Sequence, residues 1–404
     1  MKSFSSEFFS ANRAKLRELC QNDAPIIITA NGVVQRAGDS GFPFRQDSNF
    51  WYLTGVDTPS AILVLTSKTE LLILPERDPI LDYFEGAIDT EVLSKVSGIN
   101  QIMSNHDGWE QLAQITKKHK RINTCLYKGY DQRHAIYMNP SKPRLISQLK
   151  KLAPMAKLSD IRPALTEMRM VKQQCEIEAI QKSVDITVQS FKKVFSSNWY
   201  LRNKHEALVS ARINFEFEKS GAQNAYPSIV AGGKRACILH YEQNNQPIAR
   251  DELLLIDAGA EYQMYASDIT RVYVPEKMTR RQKNVYKAVK EVQDYAISLI
   301  KVGVDIKVLD KKVEKMIGQF LKAEKLITKQ EPSQIRRYYP HAISHHLGLD
   351  VHDVANYAKP LAEGNVITVE PGIYIPEWNI GVRIEDDVLI TKKTPKNLSA
   401  NLPS

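Results

Sequence analysis

The sequence predicts a two-domain α/β protein, and three observations lead there. Its 404 residues exceed what one hydrophobic core ordinarily organises. Apolar stripes of helical period alternate with short strand-like runs along the chain. Pro154 and Pro163 punctuate the stretch between an α/β beginning and a remainder with clearer helical patterning. The boundary is therefore expected near residue 160, giving domains 1–160 and 161–404.

The elements follow in order. The opening stretch, MKSFSSEFFSANRAKLREL, reads as an amphipathic helix, because polar and charged residues interrupt it where an export signal needs a continuous apolar run. Ala61–Leu65 and Leu71–Leu74 are β-rich runs separated by a short polar turn, a hairpin pattern. From Leu93 to Lys151 short apolar and polar segments predict alternating helices and strands without visible chemistry. Ile177, Ile180, Val184, Val188, Phe191 and Phe195 then recur at three- and four-residue intervals and share one helix face. Thr279 and Gln282 form a capping-box pattern ahead of a stripe through Val285, Val289, Val292, Ala296 and Leu299, with Gly303 where that helix would stop. A third stripe passes through Leu309, Val313, Met316 and Phe320. Each stripe is expected to pack into the core, as amphipathic helices bury their apolar face. Strand-like runs at Leu253–Ile256, Val366–Val369 and Ile380–Ile390 carry acidic residues at their ends or in their polar interruptions.

Charge and cysteine usage narrow the function classes. The formal charge of +9 is spread along the chain among acidic and apolar residues, so a solvated basic surface is expected and no nucleic-acid partner. No apolar run has the length to span a bilayer, so no membrane partner is expected either. Cys20, Cys125, Cys175 and Cys237 lack the close spacing of zinc sites, redox motifs or disulfide frameworks, and a reducing compartment, the cytoplasm, fits them.

Four segments carry chemistry. In LLLIDAGAEYQMYASDITR, Asp257 closes an apolar run and Asp268 follows at a distance over which a hairpin folds back on itself. Both could equally serve turns, as Asp commonly does. HAISHHLGLDVHD gathers His341, His345, His346 and His352 in a chain with nine histidines, a density that suggests metal ligands and proton carriers together. His346 has no assigned task. VITVEPGIYI and GVRIEDDVLI place Glu370 and Glu385 within apolar runs, where an unpaired charge is costly. Arg383 could neutralise Glu385 in a purely structural pair, whereas a metal pair would satisfy more of the acids at once. Four carboxylates and one imidazole suit manganese, iron, cobalt or zinc. Magnesium fits less well, since it favours phosphates and no Gly-rich phosphate loop occurs. Two such ions roughly 3.5 to 4 Å apart are hydrolytic machinery.

In order and spacing these motifs resemble the pita-bread metallopeptidases, and within them the proline-specific branch of aminopeptidase P and prolidase. IRPALTEMR, YPSIV, CILHY, LLLIDAGAEY, SDITR, SHHLGLDVHD, VEPGIYI and RIEDD look like aminopeptidase P elements in sequence order, and GDSGFPFRQDSNFWYLTG resembles that family's N-terminal domain. The resemblance implies a creatinase-like N-terminal α/β domain before a catalytic pita-bread domain. It implies two divalent ions, manganese foremost, with Asp257 on one, His345 and Glu370 on the other, and Asp268 and Glu385 bridging. Glu370 would also move a proton to the leaving nitrogen, His240 and His352 would steady the substrate carbonyl and tetrahedral intermediate, and His341 would line the leaving-group side. Arg383, Tyr374, Asp39 and Arg162 match positions the family uses around its site. The implied substrates are peptides beginning Xaa-Pro, whose bond lacks an amide hydrogen and bends the chain. The implied assembly is a homodimer or homotetramer, which the early end after TPKNLSANLPS leaves open.

Prolidase, acting on dipeptides with the same five ligands, is the nearest rival. A metal-free relative that binds proteins such as histones, and creatinase, which works without metals, would have no need of the intact ligand set.

Overall fold

The computed structural model describes residues 4–21, 23–132, 135–196, 202–274 and 277–404. Two compact units, 1–168 and 169–404, divide the chain, and the division falls inside helix Arg162–Met170, past the boundary expected near 160.

Unit 1 is a mixed six-stranded sheet in the order 157–160, 121–124, 26–29, 62–65, 70–73, 101–103. The expected hairpin forms its middle: Ile62–Leu65 and Glu70–Ile73 pair antiparallel, with Leu65 opposite Glu70. Strand 26–29 is parallel to 121–124, which is parallel to 157–160. The central strands Ile26–Thr29 and Ile62–Leu65 are buried along their whole length, which is why they read as unbroken apolar runs. The predicted opening helix runs Ser6–Leu19, and helices Asn105–Lys117 and Ser141–Leu152 supply apolar residues to the sheet's core. Residues 1–3 of the opening stretch lie outside the described residues.

Unit 2 builds its sheets from antiparallel hairpins. Strands Ile229–Gly232, Leu254–Ala258 and Ile269–Tyr273 form one sheet, Val366–Val369, Asp386–Leu389 and Lys396–Asn397 another, and Gly372–Ile375 pairs with Ile380–Arg383. Helix Gln174–Phe195 packs on Glu206–Lys219, and helix Arg280–Leu299 on Ile306–Ala323. The Thr279 capping box forms as read, with Gln282 N–H donating to Thr279 Oγ1 and Thr279 N–H to Gln282 Oε1. That helix ends at Leu299, and Gly303 stands beyond it with φ +90°, its N–H donating to the Leu361 carbonyl.

Two readings change. The third stripe is rotated: Ile306, Leu309, Val313, Ile317 and Leu321 are buried, while Met316 and Phe320 flank the core half-buried. Apolar residues occupy more than one face of this helix, and tertiary packing selects which is buried. The run Ile380–Ile390 is also two strands, not one. Ile380–Arg383 pairs with 372–375, the chain breaks at Ile384 and Glu385, and Asp386–Leu389 pairs with 366–369. The break exists because Glu385 N–H leaves its own hairpins to donate to the Thr270 carbonyl at 3.1 Å.

Candidate metal centre

Strand ends bring the acids together. Asp257 is the penultimate residue of Leu254–Ala258, and Ala258 pairs with Ile269, so the chain between folds back and sets Asp268 close to Asp257. Gly259 permits this, because a Cβ there would lie 1.8 Å from the Ser267 carbonyl oxygen. Glu385 sits at the break between two strands, where Thr270 Oγ1 donates to its Oε2 at 2.6 Å. Glu370 directly follows strand Val366–Val369, its N–H bonded to the Ile343 carbonyl and its Oε1 accepting from Thr368 Oγ1. Thr368 also receives the His345 N–H on its Oγ1 and donates its own N–H to the His345 carbonyl, so one strand fixes His345 and Glu370 together.

The charge balance favours a cation. His345 Nε2 lies 3.4 Å from Asp268 Oδ2 and 3.5 Å from Glu370 Oε1. Asp268, His345 and Glu385 each offer a ligand atom within 4.8 Å of the others. Burial pushes the Asp257 carboxyl up to about 6 and Glu370 to about 7, with neighbouring carboxylates adding to the rise. Glu385 is driven well above the usual range by burial and by Asp268, Glu370 and Asp257. The arrangement therefore holds more negative charge than His345 and Arg383 can neutralise, and its oxygen-rich donors with one imidazole fit divalent ions.

Two hydrogen-bond chains orient the rings. His345 Nδ1 lies 3.0 Å from the His346 carbonyl, which only accepts, so Nδ1 carries the proton and Nε2 faces the acids. His341 Nδ1 likewise donates to the Ala342 carbonyl, so in the neutral ring Nε2 accepts from the Tyr374 hydroxyl at 2.8 Å. Burial holds His341 neutral by lowering it to about 3. Tyr374 Oη in turn accepts from Arg383 Nη1 at 2.9 Å.

Arg383 is placed differently from its sequence reading. Its short ion pair is with Asp257, while Glu385 is 3.9 Å away, so it braces Asp257, Tyr374 and Thr270 from one guanidinium. His352 is exposed with its ring edge-on to His345 at 4.4 Å between centroids. His240 is exposed beyond the 3-10 turn Gly233–Cys237, and among the described residues no hydrogen bond or ion pair joins it to the five. Asp39 and Arg162 belong to unit 1, where Asp39 is exposed and Arg162 pairs with Asp160 at 2.6 Å.

Tyr226 was missed. Its hydroxyl lies 2.5 Å from both Asp257 Oδ1 and Asp268 Oδ1, although one O–H can donate to only one of them at a time. In YPSIV a single tyrosine in a short run carries no spacing signal.

Buried carboxylates at or beside strand ends and an inward-facing imidazole make a candidate metal centre. The chain belongs to metallopeptidase family M24, whose model matches residues 178–392, and residues 9–124 match the aminopeptidase P N-terminal domain. It is 35% identical to the Xaa-Pro aminopeptidase of Haemophilus influenzae over 100% of this chain and 96% of that protein. Among solved structures it resembles aminopeptidase P from E. coli with the inhibitor Pro-Leu, with TM-score 0.87, 30% identity and coverage of 100% of this chain and 97% of that one. The zinc-substituted form of that E. coli enzyme in complex with product gives TM-score 0.86 at 29% identity with the same coverage. The expected fold, an aminopeptidase P-type N-terminal domain before a pita-bread domain, therefore holds.

Proposed function

We propose that this protein is an Xaa-Pro aminopeptidase, releasing the N-terminal residue from peptides with proline in second position by means of two divalent ions, manganese foremost. The observation that carries the reading is the convergence of Asp257, Asp268, His345, Glu370 and Glu385 in a chain similar to Xaa-Pro aminopeptidases over its full length. Those five residues would hold the ions. Bound divalent ions supply Lewis acidity toward the scissile carbonyl and acidify water at neutral pH.

The chain's own groups do the rest. Glu370 can accept a proton at its carboxylate and return it to the leaving nitrogen. His352, beside His345, and His240, on its exposed loop, would donate hydrogen bonds to the substrate carbonyl and to the oxyanion that replaces it. His341, kept neutral and tethered through Tyr374 to Arg383, would line the leaving-group side. Arg383 holds Asp257 in place. The four free cysteines support a reducing compartment such as the cytoplasm, and no described helix is long and apolar enough to cross a membrane. Assembly into a homodimer or homotetramer belongs to the same reading.

Kinetics on Xaa-Pro, Xaa-Pro-Yaa, Xaa-Ala-Yaa and N-acetylated Xaa-Pro-Yaa test the reading. Cleavage of the tripeptide, much slower cleavage with alanine and none of the acetylated form are expected, since acetylation removes the charge and lone pair of the amine. Cleavage of the dipeptide alone would make the protein a prolidase. Full activity without bound metal would overturn the dinuclear reading.

A further inference from the structure

A second set of buried charges lies just behind His345 and takes no part in the chemistry above. Asp353 accepts from Lys172 Nζ at 2.9 Å and pairs with Arg169, and all three side chains are at most 2% exposed. Arg169 also reaches the partly exposed Asp350 at 2.7 Å. Gly348 makes room for the group, because a Cβ there would lie 2.3 Å from Asp353 Oδ2 and 3.0 Å from Lys172 Cε.

Stability is a poor reason for such a cluster. Desolvating three charges costs several kcal/mol per ion in rough terms, and apolar residues of similar volume often serve a fold as well or better. Orientation is a better reason, and the backbone shows what is oriented. The Asp353 N–H donates to the His346 carbonyl at 2.9 Å, and the same oxygen accepts from His345 Nδ1 at 3.0 Å. Both lone pairs of that carbonyl are thereby used. The bond from Asp353 closes the loop 346–353 on itself, and the residue before Asp353 is His352, whose ring meets His345 edge-on. Lys172 is itself fixed by its N–H donating to the Gly364 carbonyl at 2.9 Å.

We propose that the Arg169–Asp353–Lys172 cluster is a positioning device: it holds the His346 carbonyl where it selects the His345 tautomer with Nε2 turned to the metal centre, and it sets His352 beside that ring. The proposal rests on His345 being a metal ligand. The cluster touches neither substrate nor ion, and acts through the loop it clamps.

Cobalt(II) titration of the metal-free protein, followed by visible absorption, tests it alongside steady-state kinetics on Xaa-Pro-Yaa. Asp353→Asn is expected to weaken cobalt binding by about tenfold to a hundredfold and to change the absorption of the bound ion. It should lower kcat with KM little altered. Lys172→Met should act in the same direction and Lys172→Arg should recover most of the loss. Glu70→Gln, which breaks the Arg13–Glu70–Arg17 cluster of unit 1, serves as the comparison for a purely structural loss and should leave cobalt affinity and spectrum unchanged. If Asp353→Asn does not fold, Lys172→Met and Gly348→Ala carry the test. Folded variants at positions 353 and 172 that bind cobalt with wild-type affinity and spectrum would overturn the proposal. A wild-type chain that binds no cobalt would instead overturn the metal reading beneath it.

Discussion

His345 and His346 are neighbours with opposite fates, and the backbone decides between them. The His345 ring points to the acids because its Nδ1 is occupied by a carbonyl, whereas His346 is buried with Nδ1 lacking a partner among the described residues and its ring edge-on to Tyr357. Burial lowers His346 to about 4, consistent with a neutral packed ring. Asp268→Ala or Glu385→Ala should therefore remove activity and bound metal together, while His346→Ala should retain metal and lose mainly stability, by roughly 1 to 3 kcal/mol. Equal loss of metal in all three variants would contradict this assignment. At this scale the residues that the structure brings together were largely legible, because carboxylates beside apolar runs and a dense histidine segment are chemically conspicuous. Tyr226 and the part Arg383 plays were not. A hydroxyl and a guanidinium acquire their meaning from partners 31 and 126 residues away in sequence, Asp257 in both cases, and no local pattern encodes that pairing.

Elements position these residues through a repeated device, a buried or half-buried carboxylate that gathers donors beneath a histidine-bearing loop. Asp353 does so for His345 and His352. Asp310, on helix Ile306–Ala323, accepts from Tyr339 Oη and from the Ile343 N–H and pairs with Arg336, whose Nη1 donates to the His341 carbonyl. Glu206 opens helix Glu206–Lys219, is fully buried, and accepts from the N–H groups of Gly232 and Gln246, from Arg235 Nε at 2.6 Å and from Tyr241 Oη at 2.8 Å. Those donors bracket His240. Glu206→Gln should then lower kcat in the same direction as His240→Ala, for which a loss of about a hundredfold is expected, with metal content intact in both. Loss of metal in either variant would show that the loop supports ligands rather than substrate. Of the helices that supply these anchors the sequence displayed Ile306–Ala323, through its apolar stripe, but not Glu206–Lys219. It did not display the anchors, because a buried Glu at a helix start reads like any favourable first-turn acid until its four donors are known.

Across the molecule, an α/β class with two domains was legible from length and motif order, and individual strands from apolar runs of strand length. Pairing order was not, since strands such as 366–369 and 386–389 meet only through tertiary structure. One buried acid links the longest helix of unit 2 to this framework and gives its stability a pH signature. Glu176 caps helix Gln174–Phe195, accepting from the Gln173 N–H at 2.9 Å, and its Oε1 accepts at 2.8 Å from Tyr265 Oη, which lies on the chain between Asp257 and Asp268. Burial pushes its carboxyl up to about 7, against the opposing pull of the Gln173 N–H and of Lys172. The unfolded chain releases this proton near the ordinary value of about 4.3, so between there and about 7 the folded state binds more protons than the unfolded one. The contribution is therefore fully present below the unfolded value and is lost as pH rises through about 7. Asp353 works in the opposite sense and elsewhere: the Arg169 and Lys172 cations overcome its burial and hold it down to about 2, so its contribution is present above the ordinary carboxylate range and lost only in stronger acid. The two windows do not overlap, and the comparison of wild type with Glu176→Gln cancels Asp257 and Glu370, which burial also moves into the range between pH values of about 5 and 8. Glu176→Gln removes the titration and replaces one of two accepting oxygens with a donor, so it should destabilise the protein at both pH values. The deficit relative to wild type, measured by urea unfolding, should be larger at the lower pH and shrink at the higher, where wild type has lost the advantage of its retained proton. A deficit that stayed constant or widened with pH would show that Glu176 is already ionised in the folded protein.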